Sequence, residues 1–315
     1  MSEEKEMRFQ FGRDWRGIVK KNFTQERCDT AKKRILTFIG KTDTKGLDFL
    51  DIGCGSGLHS LAAWQAGASR VYSFDYDVNS VAATKILWEK AGRPSNWHIE
   101  RGDALDKEYI SKLGKWNFVY SWGVLHHTGK MWEAIRNAQS TVADGGQFYI
   151  ALYSSDADFQ PSKEFWLQVK QRYNRSSWFG KEQMVWWYIW RFMMQKDWKR
   201  AKEVIDRAIE YKTQRGMDLF ADIRDWLGGW PMEYAGDQET VDLLEKECGF
   251  KLTNAETGQA CSEFLFERCG APSQSTKVTE FVARKRAAAE SERAAAKTAV
   301  DGEPTSQLAT ASSAA

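Results

Sequence analysis

Five prolines in 315 residues exclude a proline-rich linker protein. The five cysteines, Cys28, Cys54, Cys248, Cys261 and Cys269, form no C-x-x-C pair and no His/Cys ladder. That spacing argues against a disulfide scaffold and a structural zinc site, and no metal is expected. No run approaches the ~18 apolar residues of a membrane-spanning helix. The opening stretch MSEEKEMRFQFGRDW is charged and has no apolar h-region, so no secretory signal is expected and a reducing cytoplasm is the expected compartment. Neither sign of charge dominates: 45 Lys and Arg face 43 Asp and Glu. A dedicated nucleic-acid binder carries a basic excess, so no nucleic-acid partner is expected. Tryptophan, normally among the rarest residues, is abundant at 15 copies. The length suits one large domain or two small ones.

Residues 1–30 read as an N-terminal arm with aromatic punctuation that covers the active site. A helix follows over Thr24 to Ile39, with Thr24 as its cap. Short apolar runs then alternate with helical patterns: LDFLDI, VYSFD, WHIE, WNFVYSW and GGQFYIALY read as strands. Such alternation indicates an α/β fold with a parallel sheet. From Pro161 to Trp230 the pattern is helical only, and it holds 8 of the 15 tryptophans. A helix and two strands close the domain. The expected organisation is a core over 31–160 and 231–270, an inserted helical cap over 161–230, and a disordered Ala/Ser/Thr-rich tail over 271–315.

The first strand runs into Asp51-Ile52-Gly53-Cys54-Gly55-Ser56-Gly57. Glycines two apart let backbone approach a ligand and turn into the next helix. A dinucleotide fingerprint is G-x-G-x-x-G; here the third glycine comes one residue early, which disfavours a dehydrogenase. Asp75 closes the second strand, where a carboxylate accepts both ribose hydroxyls. Asp103 follows the third strand and suits an adenine amino group. A helix cap or turn is its bland alternative.

FLDIGCGSGLHSLAA, VYSFDYD, GDALD and FVYSWGVLHHTG resemble the successive motifs of the class I S-adenosylmethionine-dependent methyltransferases. FGRDW, the stretch from Arg215 to Ala235, and CSEFLF further resemble a bacterial small-molecule branch with a helical insertion after strand five. Ser154, Ser155 and Ser262 depart from that branch's usual Asn-Asp pair and Asn. The resemblance implies a Rossmann-like fold whose mostly parallel, seven-stranded sheet carries helices on both faces and a last strand that is antiparallel. It implies S-adenosyl-L-methionine as cofactor. Asp51 and the Gly53, Cys54, Gly55 and Gly57 backbone would hold the methionine part. Asp75 would bind the ribose, Tyr76 would flank the adenine, and Asp103 and Ala104 would meet its edge. Trp122 would sit near the sulfonium, where a cation beside an aromatic face is favourable. A core aromatic is the alternative for Trp122.

His126 and His127 follow strand four, at the sheet end where ligands bind. Either is a candidate general base, with backbone bonding as the competing role. His59 reads as a helix-face residue and His98 as structural. Trp15, Tyr153 and Trp230 are the candidate substrate contacts. Residues 161–220 carry 13 basic and 7 acidic side chains, a surplus of six, which favours an anionic substrate unless these charges are solvated helix faces. The aromatic run from Met184 to Trp190 is expected to pack over the pocket or at a homodimer contact, ahead of a membrane surface. The expected function is methylation of a small polar, anionic molecule, with oxygen ahead of nitrogen, sulfur and carbon. The alternatives are an RNA or protein methyltransferase and a non-catalytic cofactor-binding regulator.

Overall fold

The computed structural model describes residues 9, 12, 17, 19–20, 23–214 and 219–301. The chain divides into two compact units, 1–276 and 277–315. The first contains β1 (Asp48–Ile52), β2 (Arg70–Asp75), β3 (Trp97–Arg101), β4 (Trp116–Trp122), β5 (Val142–Tyr153), β6 (Phe250–Glu256) and β7 (Cys261–Arg268). They form one sheet in the order β3-β2-β1-β4-β5-β7-β6. β1 to β5 pair in parallel, and β7 lies antiparallel between β5 and β6. The expected seven-stranded Rossmann-like sheet is therefore present. β1 and β4 are buried along most of their length because both sheet faces are covered. Phe49 and Phe118, on these two neighbouring strands, stack at 5.3 Å in the core.

Helices α1 (Gln25–Ile39), α2 (Leu58–Gln65), α3 (Val78–Lys90), α4 (Lys107–Lys112) and α5 (Met131–Gln139) connect and flank the strands. α1 buries Cys28, Ala31, Ile35 and Phe38 in the core beside the sheet. The expected boundary at residue 30 therefore cuts through a helix that belongs to the core. Thr24 stands at the cap position, but its side chain makes no cap hydrogen bond. Asp77 does cap α3, accepting from the Asn79 amide.

Strand order reverses between β1 and β4, which opens the crevice where ligands bind in open α/β sheets. The insertion leaves the sheet after β5. It comprises α6 (Lys163–Arg175), α7 (Trp178–Tyr188), a π-helical turn at Ile189–Met193, α8 (Ala201–Gln214) and α9 (Leu219–Gly228). No strand interrupts it among the described residues. It has its own apolar core, including Trp166, Val185, Ile189, Ile223 and Leu227. The chain then returns beside β5: the Ala235 amide donates to the Tyr153 carbonyl and the Ser155 amide to the Ala235 carbonyl. α10 (Asp237–Asp242) precedes β6.

In the second unit, α11 (Val278–Asp301) is a 24-residue helix. From sequence the tail reads as disordered with at most a marginal helix, and over 278–301 the structure has that helix. Its AAAESERAAAK stretch is rich in the strongest helix formers, and local propensity acts whether or not there is a core to bury. Residues 302–315 lie outside the described residues.

Candidate active site

The carboxyl ends of β1, β2 and β4 open into a cavity of about 920 Å³. Gly53, Cys54, Gly55 and Ser56 form part of its wall, as do Asp75, Tyr76, Asp103, Ala104 and Trp122. Gly53 has φ +78°, and a Cβ there would stand 2.3 Å from Val124 Cγ1, after β4. Only glycine permits this approach of the β1 loop to the β4 loop. Gly57 turns the chain into α2 at φ +79° and packs on Thr84, where a Cβ would lie 2.7 Å from Cγ2. It is absent from the cavity wall, so its role is to shape the loop.

Asp75 is fixed by two backbone donors: Gly55 N–H at 2.9 Å and Asp77 N–H at 2.8 Å. The glycine loop and the acid of β2 are thus one hydrogen-bonded unit. The Arg101 guanidinium lies over the Tyr76 ring at 5.3 Å. Asp103 both lines the cavity and accepts from the Leu105 amide at 2.9 Å, so the turn role is present alongside its place in the wall. Asn137 holds the Ala104 carbonyl at 3.0 Å. Cys54 Sγ lies 3.2 Å from Thr84 Oγ1, and burial pushes its thiol well up, which leaves it inert at neutral pH.

Asp51 does not join this wall. Its buried carboxyl accepts from the Ser60 hydroxyl, and burial raises it to about 7. Side chains alternate along a strand, and Asp51 faces the α2 side behind the loop. Ser73 continues the chain of contacts by donating to Ser60 at 2.8 Å.

The two neighbouring histidines have different surroundings. His126 is fully buried, absent from the cavity wall, and neither ring nitrogen has a partner among the described residues. Burial, with His127 and Lys170 nearby, holds it well below the usual imidazole range. His127 lines the cavity, and its Nδ1 lies 2.8 Å from the Pro231 carbonyl oxygen. A carbonyl only accepts, so in the neutral ring Nδ1 carries the proton and Nε2 the lone pair. His59, read from sequence as a helix-face residue, also lines the cavity. It sits 3.2 Å from the Tyr120 hydroxyl and edge-on to Trp122, and burial pushes it down to about 4. Its neighbours come from β4, so α2's own periodicity carries no sign of this. His98 is exposed and lies 3.2 Å from Glu100.

The cavity continues under the insertion. Tyr153, Trp166, Tyr188, Phe192, Trp226 and Trp230 give it aromatic walls. Tyr153 stands edge-on to His126 at 4.7 Å and packs on Trp226 at 6.0 Å. Of the three candidate substrate contacts, Tyr153 and Trp230 reach the cavity, and Trp15 lies outside the described residues. Phe9, from the arm, also lines it, and its amide donates to the Trp230 carbonyl at 2.9 Å. Lys170 was not singled out by sequence. It is buried in α6, with Nζ 4.1 Å from the centre of the Trp226 ring and bonded to the Trp226 carbonyl. Burial pushes its amine down to about 7, against the opposing pull of Asp225. Lys170 and Arg207 share the lining with Asp158, Asp222 and Asp225, so the insertion's basic surplus is not concentrated there.

A profile described as a methyltransferase domain matches residues 23–192, just over half of the chain. The chain belongs to the methyltransferase-domain family. Its sheet, glycine loop and acid of β2 are those of the class I S-adenosylmethionine-dependent methyltransferases. Among curated relatives, the chain is 38% identical over 74 residues to ribosomal protein L11 methyltransferase of Acinetobacter baumannii, covering 24% of this chain and 25% of that protein. It is 26% identical over 137 residues to tRNA U34 carboxymethyltransferase of Idiomarina loihiensis, covering 43% and 41%. The chain thus spans a quarter to under half of the length of these two relatives. Among solved structures, it is similar to magnesium protoporphyrin IX methyltransferase of Synechocystis with bound SAM, at TM-score 0.49 and 14% identity over 85% of this chain and 98% of that one.

The residues present fit S-adenosylmethionine. The Gly53–Ser56 loop forms part of the cavity wall, Asp75 supplies a fixed carboxylate, and Trp122 an aromatic side chain. Among the described residues no group of three or more His, Cys, Asp or Glu is placed to hold a metal ion. No described helix is long and apolar enough to cross a membrane.

Proposed function

We propose that this protein transfers a methyl group from S-adenosylmethionine to an oxygen of a small molecule held in the aromatic chamber beneath the insertion. One observation carries the reading: a single cavity runs from the glycine loop and Asp75 to the tryptophan-lined walls, with His127 in its lining. The cofactor supplies an electrophilic methyl group when bound. Asp75 accepts from its ribose hydroxyls, the backbone at Gly53 to Ser56 holds its methionine part, and Tyr76, Asp103 and Ala104 flank the base. Asp51 acts from behind the loop, through Ser60, rather than as a direct contact.

His127 is the general base in this reading. The Pro231 carbonyl fixes its tautomer, and Nε2 takes the proton of the acceptor hydroxyl. His126 is excluded from that role by its burial and its place off the cavity wall. Tyr153, Trp226 and Trp230 confine the substrate and keep water away, which favours an aligned, in-line displacement. The walls suit a molecule with a broad apolar face and a few polar groups. An anionic group on it would have Lys170 and Arg207 to meet, and the three carboxylates to avoid.

The test is transfer of label from methyl-labelled S-adenosylmethionine into fractions of a cell extract. Label in low-molecular-weight products supports the reading. Label confined to the RNA or the protein fraction refutes it in favour of a macromolecular acceptor.

A further inference from the structure

The outer surface of the insertion has no part in that chemistry, yet it carries most of the exposed large hydrophobic side chains among the described residues. Nine large hydrophobic side chains are exposed among the described residues, and seven lie between residues 178 and 209. Trp178 is 76% exposed and Trp198 73%. On α7, Phe179 and Trp186 stand seven residues apart and share a helix face; on α8, exposed Ile205 and Ile209 stand four apart and do the same. A soluble monomer exposes such side chains singly, so a concentration of them marks an interaction surface.

The charges among these side chains identify the partner's chemistry. Lys181, Arg191, Lys196, Lys199 and Lys202 form no ion pair among the described residues. Of the four acids of the same stretch, Glu182 is paired with Arg224 and Glu203 with Arg200, while Asp197 and Asp206 form no ion pair among the described residues. The stretch therefore presents tryptophan together with lysines that outnumber the unpaired acids. The core of a subunit contact is depleted in charge, and in lysine above all. Tryptophan beside basic residues is instead the composition that settles at a membrane–water boundary, where the ring sits at headgroup level and the cation meets anionic lipid.

We propose that the face carrying Trp178, Phe179, Trp186 and Trp198 docks peripherally on an anionic lipid bilayer, with Lys196, Lys199 and Lys202 against the headgroup phosphates. The proposal does not depend on the methyl-transfer reading. It bears on it, since Tyr188, Phe192 and Met193 of the same segment wall the cavity.

The full chain is sedimented with vesicles of phosphatidylcholine alone, or with about one third phosphatidylserine. Binding to the anionic vesicles at low salt, a blue shift of tryptophan emission, and loss of both as salt is added are the expected results. Lys199→Gln and Lys202→Gln should each weaken binding about fivefold. Trp178→Ser/Phe179→Ser should weaken it at least about tenfold while thermal unfolding and cofactor binding are kept, since both side chains are exposed and off the cavity wall. Failure to bind anionic vesicles at low salt overturns the proposal, as does binding that survives Trp178→Ser/Phe179→Ser. Sedimentation velocity without lipid supplies a further check: a dimer that this double variant splits into monomers shows that a second copy covers the face, and overturns it too.

Discussion

Asp75→Ala should remove most of the affinity for the cofactor. The carboxylate accepts two backbone amides, from Gly55 at 2.9 Å and Asp77 at 2.8 Å. A carboxylate has about four lone-pair sites, so this anchoring is compatible with accepting two ribose hydroxyls as well. Hydrogen bonds to an ionised group contribute about 1.5–3 kcal/mol each. Losing two costs about 3–6 kcal/mol, and water entering the vacated space offsets part of that. A loss of about 3 kcal/mol is the working value, a little over a hundredfold in Kd. The substitution also releases Gly55 from its partner, which slackens the loop and adds to the loss. Asp75→Asn keeps one acceptor and turns the other into a donor, so about tenfold is expected. The assay is calorimetric titration with S-adenosylhomocysteine near neutral pH, with Tm measured without ligand to separate lost binding from lost fold. A folded Asp75→Ala protein whose Kd lies within about threefold of the parent would refute the assignment.

The two histidines should separate in kinetics. His127→Ala is expected to lower kcat about 10²- to 10⁴-fold with KM little changed, and His126→Phe to leave kcat within about threefold. Unchanged turnover in His127→Ala would remove it as the base. The buried acid gives a pH signature. Asp51 is raised to about 7 in the folded chain from its ordinary value of 3.8, so between these values the folded state holds a proton the unfolded chain has lost. Stability from this group therefore falls as pH rises from about 4 to about 7, and the deficit stays constant above. Asp51→Asn should raise stability at pH ~8, by on the order of a few kcal/mol, and change it little at pH ~4. Parallel Tm profiles for the two proteins across that range would show that the acid is not held protonated.

The sheet could be read from sequence because its central strands are buried on both sides and its loop needs glycine for steric reasons. Periodicity, the glycine loop and two acids pointed to one end of the cavity: Asp75 and Asp103 line it, as do Tyr76 and Ala104, which the family resemblance supplied. Reading failed where position depends on a partner distant in the chain. Asp51 is next to the loop in sequence but faces Ser60 behind it. His59 has helical spacing like its neighbours, and only Tyr120 and Trp122 on β4 bring it to the cavity. Lys170 resembles any solvated lysine on α6 until Trp226, 56 residues later, folds over it. The insertion's helices were legible, but α7 is apolar on more than one side, and its pattern does not say which side meets the cavity.

The insertion leaves the sheet at Ser154 and rejoins it at Ala235, and these two residues are bridge partners. The insertion is therefore a loop whose ends already touch, with further bonds to the sheet domain from Pro231 and Glu233. Closing a longer or shorter loop across the same two points changes the entropy cost slowly, by about 0.6 kcal/mol per doubling of length. A longer or shorter cap therefore adds little closure cost, provided that the bonds of Pro231 and Glu233 to the segment after β4 are kept. The two ends of the cap are held at one bridge, where Ala235 bonds to Tyr153 and Ser155 on either side of Ser154.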